Sequence, residues 1–427
     1  MNFNENDIEW NNDLLGDICT IKGGKRLPKG KQLSSNKTRH PYIKVKDIGE
    51  NKYISLNSGF EYLDDETFEG ISRYIVNEND LIISIVGTIG LIGLIDKSLE
   101  SANLTENCVK LIDIKNVTND FLYYYLKSPV GGYEIKKGVV GSTQPKLPIY
   151  NIQKIAISYP SISEQKAIAK ILSDLDEKIE TNNKINKKLE EMAQSIFKQW
   201  FVDFEFPNEE GKPYKSSGGE MVESELGMVP KGWDVIKLEE ICSISTKSEK
   251  PFNNSDTIYE HFSLPACDEG KLPIVEAGKN ISSNKYKIDN ECILISKLNP
   301  STKRIWNPFC KTYNAICSTE FIVYKPKERD IKSFCYEVIN SNRFTEFLLA
   351  NVTGSTGSRQ RVRPQNTLTY KVPFADTYII KKSCELIEPI HKKIQLNIEE
   401  NLQLKNIRDA LLPKLMSGEI RVPLGHE

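Results

Sequence analysis

The chain has 427 residues, enough for two or three domains with ordinary cores. Hydrophobic residues make up 39% and charged residues 27%, which places it among folded rather than disordered chains. A formal net charge of −1 excludes a global basic field, so any nucleic-acid surface has to be a local patch offset by acid elsewhere.

Residues 1–160 read as one mixed α/β (α+β) unit. It opens on Trp10 to Ile21 (WNNDLLGDICTI). A Gly/Pro loop follows with Lys22, Lys25, Arg26, Lys29 and Lys31 and no acid. Glycines allow close backbone approach to a phosphate and lysines neutralise it, so Lys22, Lys25, Arg26 and Lys29 are candidate DNA contacts. Short β-rich runs cover His40 to Val45, Asp80 to Val86 and Cys108 to Ile114, and a helix is expected over Asp120 to Lys127. The run Leu81 to Ile95 (LIISIVGTIGLIGLI) is too short to cross a bilayer, which needs about 20 residues, and reads as two buried strands about a turn at Gly87–Gly90. The unit closes on GSTQPK at 141–146, where Ser142, Thr143, Gln144 and Lys146 suit phosphates and base edges.

Residues 161–202 read as a long helix. Ser161 with Glu164 forms a capping-box pattern. The seam Ile168, Leu172, Leu175, Ile179, Asn182, Asn186, Leu189, Ala193, Ile196, Trp200 steps by threes and fours, as in a coiled coil. Residues 203–222 hold Pro, Gly and charges without periodicity and read as a linker. A second globular unit spans 223–375. Its candidate DNA contacts are Lys303 and Arg304 near Trp306, which reads as core. A Gly/Ser/Arg stretch adds Ser355, Thr356, Arg359, Gln360, Arg361 and Arg363. Arginine reads guanine and glutamine reads adenine through paired hydrogen bonds. A second long helix spans 376–418, with Asp376 as its cap, the seam Ile387, Ile390, Ile394, Asn397, Asn401, Leu404, Arg408, Leu411, Pro413 expected to kink or end it, and Gly418 to stop it.

The order is therefore globular unit, helix, globular unit, helix, and the halves echo each other. Trp10, Leu15, Ile18, Cys19 and Ile21 fall on Trp233, Leu238, Ile241, Cys242 and Ile244. Asp176–Phe201 falls on His391–Met416, with Asn182 on Asn397 and Asn186 on Asn401. Asparagine in an apolar seam fixes register at a cost in stability, so these four residues are expected to match across two helices packed antiparallel, related by a pseudo-twofold.

Catalytic signatures are missing from the sequence: no GxxxxGK[ST], GxGxxG, HExxH or nucleophile elbow, and no Asn/Asp-Pro-Pro-aromatic tetrapeptide of the amino-methyltransferases. Nine cysteines without a CxxC pair and only four histidines give no zinc set, so no metal is expected. The scattered thiols and the absence of a leader pattern point to cytoplasm, with no membrane partner.

At GSTQPKLP (141–148), SEQKAIAKILSDLDEKI (163–179), SIFKQWFVDFEFP (195–207), ESELGMVPKGW (223–233) and RDALLPKLMSGEI (408–420), the chain resembles the specificity subunit of type I restriction-modification systems. The resemblance implies two target-recognition domains, each reading one part of a bipartite double-stranded DNA site, on helices that set the gap. It also implies docking of two methyltransferase subunits and of restriction/translocase subunits, which would hold S-adenosylmethionine, ATP and Mg; this chain would bind no cofactor. The second copy, GSTGSRQRVRP, departs from GSTQPKLP, and the second helix lacks the SEQKAIAK string. Two other classes fit the residues less well: a DNA methyltransferase or nuclease with an unfamiliar site, and a non-catalytic scaffold tethering protein-binding heads.

Overall fold

The computed structural model describes residues 10–353 and 360–423. It divides into two compact units, Met1–Thr181 with Asn401–Glu427, and Asn182–Glu400. Each unit holds one head and half of each long helix.

In the first unit the strands Thr20–Gly23, Cys108–Ile112, Leu81–Ser84, Ile92–Ile95 and Tyr53–Ile54 lie side by side in that order. Leu81 and Ile83 face a core with Phe121, Tyr124 and Leu172, while Ile82 packs with Ile43, Phe60 and Leu104 under a smaller three-stranded sheet. Both faces are covered, which is why Leu81–Ile95 is apolar throughout instead of alternating. The helix Asn119–Lys127 is capped by Thr118. A further helix, Pro129–Lys137, is capped by Ser128. Its Gly131 and Gly132 hide it from a propensity reading. Gly131 is there for space, since a Cβ would lie 2.2 Å from the Tyr125 carbonyl oxygen.

The second unit repeats this plan. Its first sheet has the order Cys242–Ile244, Phe321–Pro326, Ile293–Ser296, Ile305–Trp306. In both heads a parallel pair recurs in the other sheet: Tyr42 and Ile43 beside Asn103 and Leu104, and Glu260–Phe262 beside Ala315–Cys317. Two consecutive helices again follow, Lys332–Asn340 and Asn342–Ala350, the latter capped by Ser341.

The long helices are Ile162–Phe201 and Thr377–Met416, 40 residues each. Asp376 accepts the Tyr378 N–H at 2.7 Å and caps the second. The Ser161 hydroxyl accepts the Glu164 N–H at 3.4 Å, but the Glu164 carboxylate turns to Arg421, at 2.7 and 2.8 Å, rather than closing a capping box. Pro413 neither ends the second helix nor precludes its last turn. Leu415 and Met416 are 1% and 2% exposed in the first head's core, and that burial outweighs one missing hydrogen bond. Gly418, at φ +75°, stops the helix as read from the sequence. Residues 203–222, read as a linker, are anchored instead: Phe206 stacks on Trp233 at 5.0 Å and on Tyr214 at 4.7 Å, and Phe204 meets Trp233 edge-on at 5.5 Å.

The helices pair antiparallel within each unit. In the first, Arg408 Nη1 donates to Asp176 Oδ1 at 2.7 Å. In the second, Asn397 Nδ2 donates to Asn186 Oδ1 at 2.7 Å, Asn182 Nδ2 to Glu400 Oε2 at 2.9 Å, and Asn186 Nδ2 to the Ile394 carbonyl at 3.5 Å. Asn182, Asn186, Asn397 and Asn401 are all buried. Asn397→Leu strands the Asn186 carbonyl oxygen and is expected to cost about 1–3 kcal/mol. The double change Asn186→Leu with Asn397→Leu should recover most of this in urea unfolding while losing the register signal. A double variant as unstable as the single one would show that the pair carries no polar matching.

Candidate nucleic-acid interface

In the first head the loop leaving Thr20–Gly23 passes tightly under its neighbours. A Cβ on Gly24 would sit 2.0 Å from the Thr105 carbonyl oxygen, so this glycine serves packing and not the approach of a phosphate. The Lys25 ammonium lies 5.5 Å from the Tyr74 ring centroid. Arg26 Nε donates to Glu106 at 2.8 Å, and Lys31 pairs with Glu66 at 2.6 Å. Acid from elsewhere in the chain therefore meets two of the loop's five cations, while Lys22, Lys25 and Lys29 are exposed.

The 141–146 loop is a tight excursion. Val140 and Lys146 exchange backbone hydrogen bonds at 2.9 and 3.0 Å, and Gly141 takes φ +88°. Leu147, fully buried, nails down its end, and the Leu147 N–H donates to the Ile85 carbonyl at 2.9 Å. Ser142, Thr143, Gln144 and Lys146 all face outward. The turn after Leu81–Ser84 lies alongside, bridged through Val86 and Lys146. The Ser84 hydroxyl, donating to the Thr88 carbonyl at 2.6 Å, braces it. The turn at Gly87–Gly90 is where the sequence places it, with both glycines at positive φ, +81° and +84°, but the sequence alone assigned it no part in a DNA surface.

The second head builds a similar ledge. The Val362 N–H donates to the Lys297 carbonyl at 3.0 Å, the Asn299 N–H to the Gln360 carbonyl at 2.9 Å, and Leu298 bridges to Arg361. Two stretches picked separately from the sequence are thus brought together. Arg361 engages Glu320 with both Nε and Nη2 at 3.1 Å. Gln360 is half-buried and Arg363 exposed. Lys303 and Arg304 depart from expectation. The Lys303 ammonium donates to the Asn340 carbonyl, and burial pushes it below the usual lysine range. Arg304 Nε donates to Asp268 at 2.7 Å. Each is engaged by a partner distant in sequence, which residue identity alone does not reveal. Trp306 is core, 2% exposed and 4.7 Å from the Phe262 ring. Ser355, Thr356 and Arg359 lie outside the described residues.

No group of three or more His, Cys, Asp or Glu among the described residues could hold a metal ion. None of the described helices is long and apolar enough to cross a membrane. Every cysteine is a free thiol, and burial pushes Cys108 and Cys292 up to about 12, as suits inert packing residues.

Residues 7–191 match the family described as type I restriction modification DNA specificity domain. The MjaIX specificity subunit of Methanocaldococcus jannaschii is 28% identical over 98% of this chain and 96% of its own length. The HindI specificity subunit of Haemophilus influenzae is 25% identical over 90% and 92%. Along nearly its whole length this chain is similar to type I restriction-modification specificity subunits. A crystal structure of the S subunit from M. genitalium shares the fold, with a TM-score of 0.57 at 15% identity, covering 97% of this chain and 98% of that one.

Each head of the chain is tied to the helices by polar contacts at matching places. In the first, Tyr124 Oη donates to Asp176 at 2.8 Å, and Asp176 in turn accepts from Arg408. The buried Lys52 ammonium adds Asp120 at 2.7 Å and the Ser173 hydroxyl at 2.6 Å. In the second, Glu337 meets His391, the residue that falls on Asp176, at 2.8 Å. The join is the same and its chemistry different.

Proposed function

We propose that this chain is a specificity subunit that reads a bipartite double-stranded DNA site, one part with each head, through the ledges described above. The observation that carries the reading is the duplication: two heads of one sheet plan, each with a glutamine and cations on hydrogen-bonded loops. The helices act as the spacer and dock two methyltransferase subunits, which restriction/translocase subunits join. Catalysis belongs to those partners, and S-adenosylmethionine, ATP and Mg are theirs to hold. The absence of catalytic signatures from the sequence supports this division.

Base and phosphate contacts separate by salt. In the assembled methyltransferase complex, Arg361→Ala is expected to cost about 1–3 kcal/mol on the specific site and to relax preference at one position. Lys25→Ala and Lys29→Ala should instead weaken binding to all duplexes evenly and flatten the plot of log K against log salt by about one unit each. Binding isotherms over a salt series decide it. A lysine variant that changed sequence preference, or Arg361→Ala without effect, would reject these roles.

A further inference from the structure

We propose that Glu320 is a positioning residue for Arg361, holding its guanidinium preset to read guanine, and that Glu106 does the same for Arg26. This rests on the reading that the two ledges bind DNA.

The two glutamates stand on a turn that recurs in both heads. In the first head the Thr105 hydroxyl accepts the Asn107 N–H at 3.5 Å, and the Asn107 carbonyl accepts the Ile85 N–H at 2.8 Å. In the second, the Ser318 hydroxyl accepts the Glu320 N–H at 3.2 Å, and the Glu320 carbonyl accepts the Lys297 N–H at 2.9 Å. Strand pairing sets Ser84 opposite Cys108 and Ser296 opposite Phe321, so the turn is the same in both heads. Glu106 and Glu320 occupy neighbouring places on it. Their arginines come from different stretches of the head, Arg26 from the loop after its first sheet strand and Arg361 from near its end. The same turn therefore supplies an acid to an arginine twice, by two routes.

Burial and geometry suit support better than neutralisation. The carboxylate side chains are 30% and 28% exposed, the guanidinium side chains 80% and 49%, so the acid lies inward and the cation outward. Glu320 takes Nε–H and one Nη2–H of Arg361. The remaining Nη1 and Nη2 hydrogens form an end-on fork, the shape that meets O6 and N7 of guanine. An arginine already fixed loses less side-chain freedom on docking.

The test uses the assembled methyltransferase complex, duplexes with all four base pairs at each position of the second head's word, and one salt concentration. Arg361→Ala should erase a guanine preference at one position. Glu320→Gln and Glu320→Ala should each lower preference at that same position about five- to ten-fold. Affinity for random duplex should hold or rise, since a negative charge near phosphates has gone. Glu106→Gln should act likewise on one position of the first word. If Glu320→Gln discriminates like the parent while Arg361→Ala does not, the positioning role is wrong and DNA reading stands. If Arg361→Ala leaves every position unchanged, the reading falls and the positioning role with it.

Discussion

Phe201→Ala is expected to destabilise the second unit by about 3–5 kcal/mol, the range for removing a buried aromatic ring. Phe201 is 1% exposed. Its ring lies 5.4 Å from Phe197, 5.7 Å from Trp233 and 4.8 Å from Phe334. It is the last residue of the first long helix, while Phe334 belongs to the head. Removing it opens a cavity where helix and head meet, and neighbouring rings are too rigid to fill it. Urea unfolding of the full chain measures the loss, with Tyr313→Ala as control, because Tyr313 is fully exposed and its removal should fall within about 0.5 kcal/mol. Equal losses for the two variants would show that this cluster does not hold the second unit together.

The second large effect is on DNA spacing. Seven matched residues inserted into both long helices, between Thr181 and Asn182 and between Glu400 and Asn401, lengthen each by roughly 10 Å. A heptad returns the apolar seam nearly to its original face, so the Asn186–Asn397 hydrogen bond should survive. The preferred gap between the two DNA words should then widen by about three base pairs, with the words unchanged. Methylation rates on duplexes of varied spacing report it. An unchanged preferred gap would refute the spacer role of the helices. Insertion into the first helix alone should instead break the asparagine match and lower stability.

Much of this organisation was legible in the sequence because it rests on local periodicity and on repetition. The heptad seam carries both long helices, and the echo of Trp10–Ile21 in Trp233–Ile244 marks where each head begins. What escaped depends on contacts between distant residues. Arg361 looks like an unopposed cation, since the glutamate that engages it stands 41 positions away. Lys303 looks like a free cation, but its ammonium donates to the carbonyl of Asn340, a residue distant in sequence. The stretch holding Phe204 and Phe206 has no period, yet two aromatic rings on an irregular loop suffice to anchor it to Trp233. Pro413 breaks a helix in isolation but not one whose final turn buries Leu415 and Met416. The register asparagines were readable for the opposite reason: a polar residue recurring in an apolar seam is conspicuous, and its matched partner lies in the repeat of the same pattern.

The most direct measurement is long-read mapping of methylated bases in the host genome, with this gene present and deleted. A single motif of two defined words separated by an unspecified gap, methylated only when the gene is present, is the predicted result. A methylation pattern indifferent to the deletion, or a continuous motif without a gap, would contradict two sequence-reading heads held on one helical spacer.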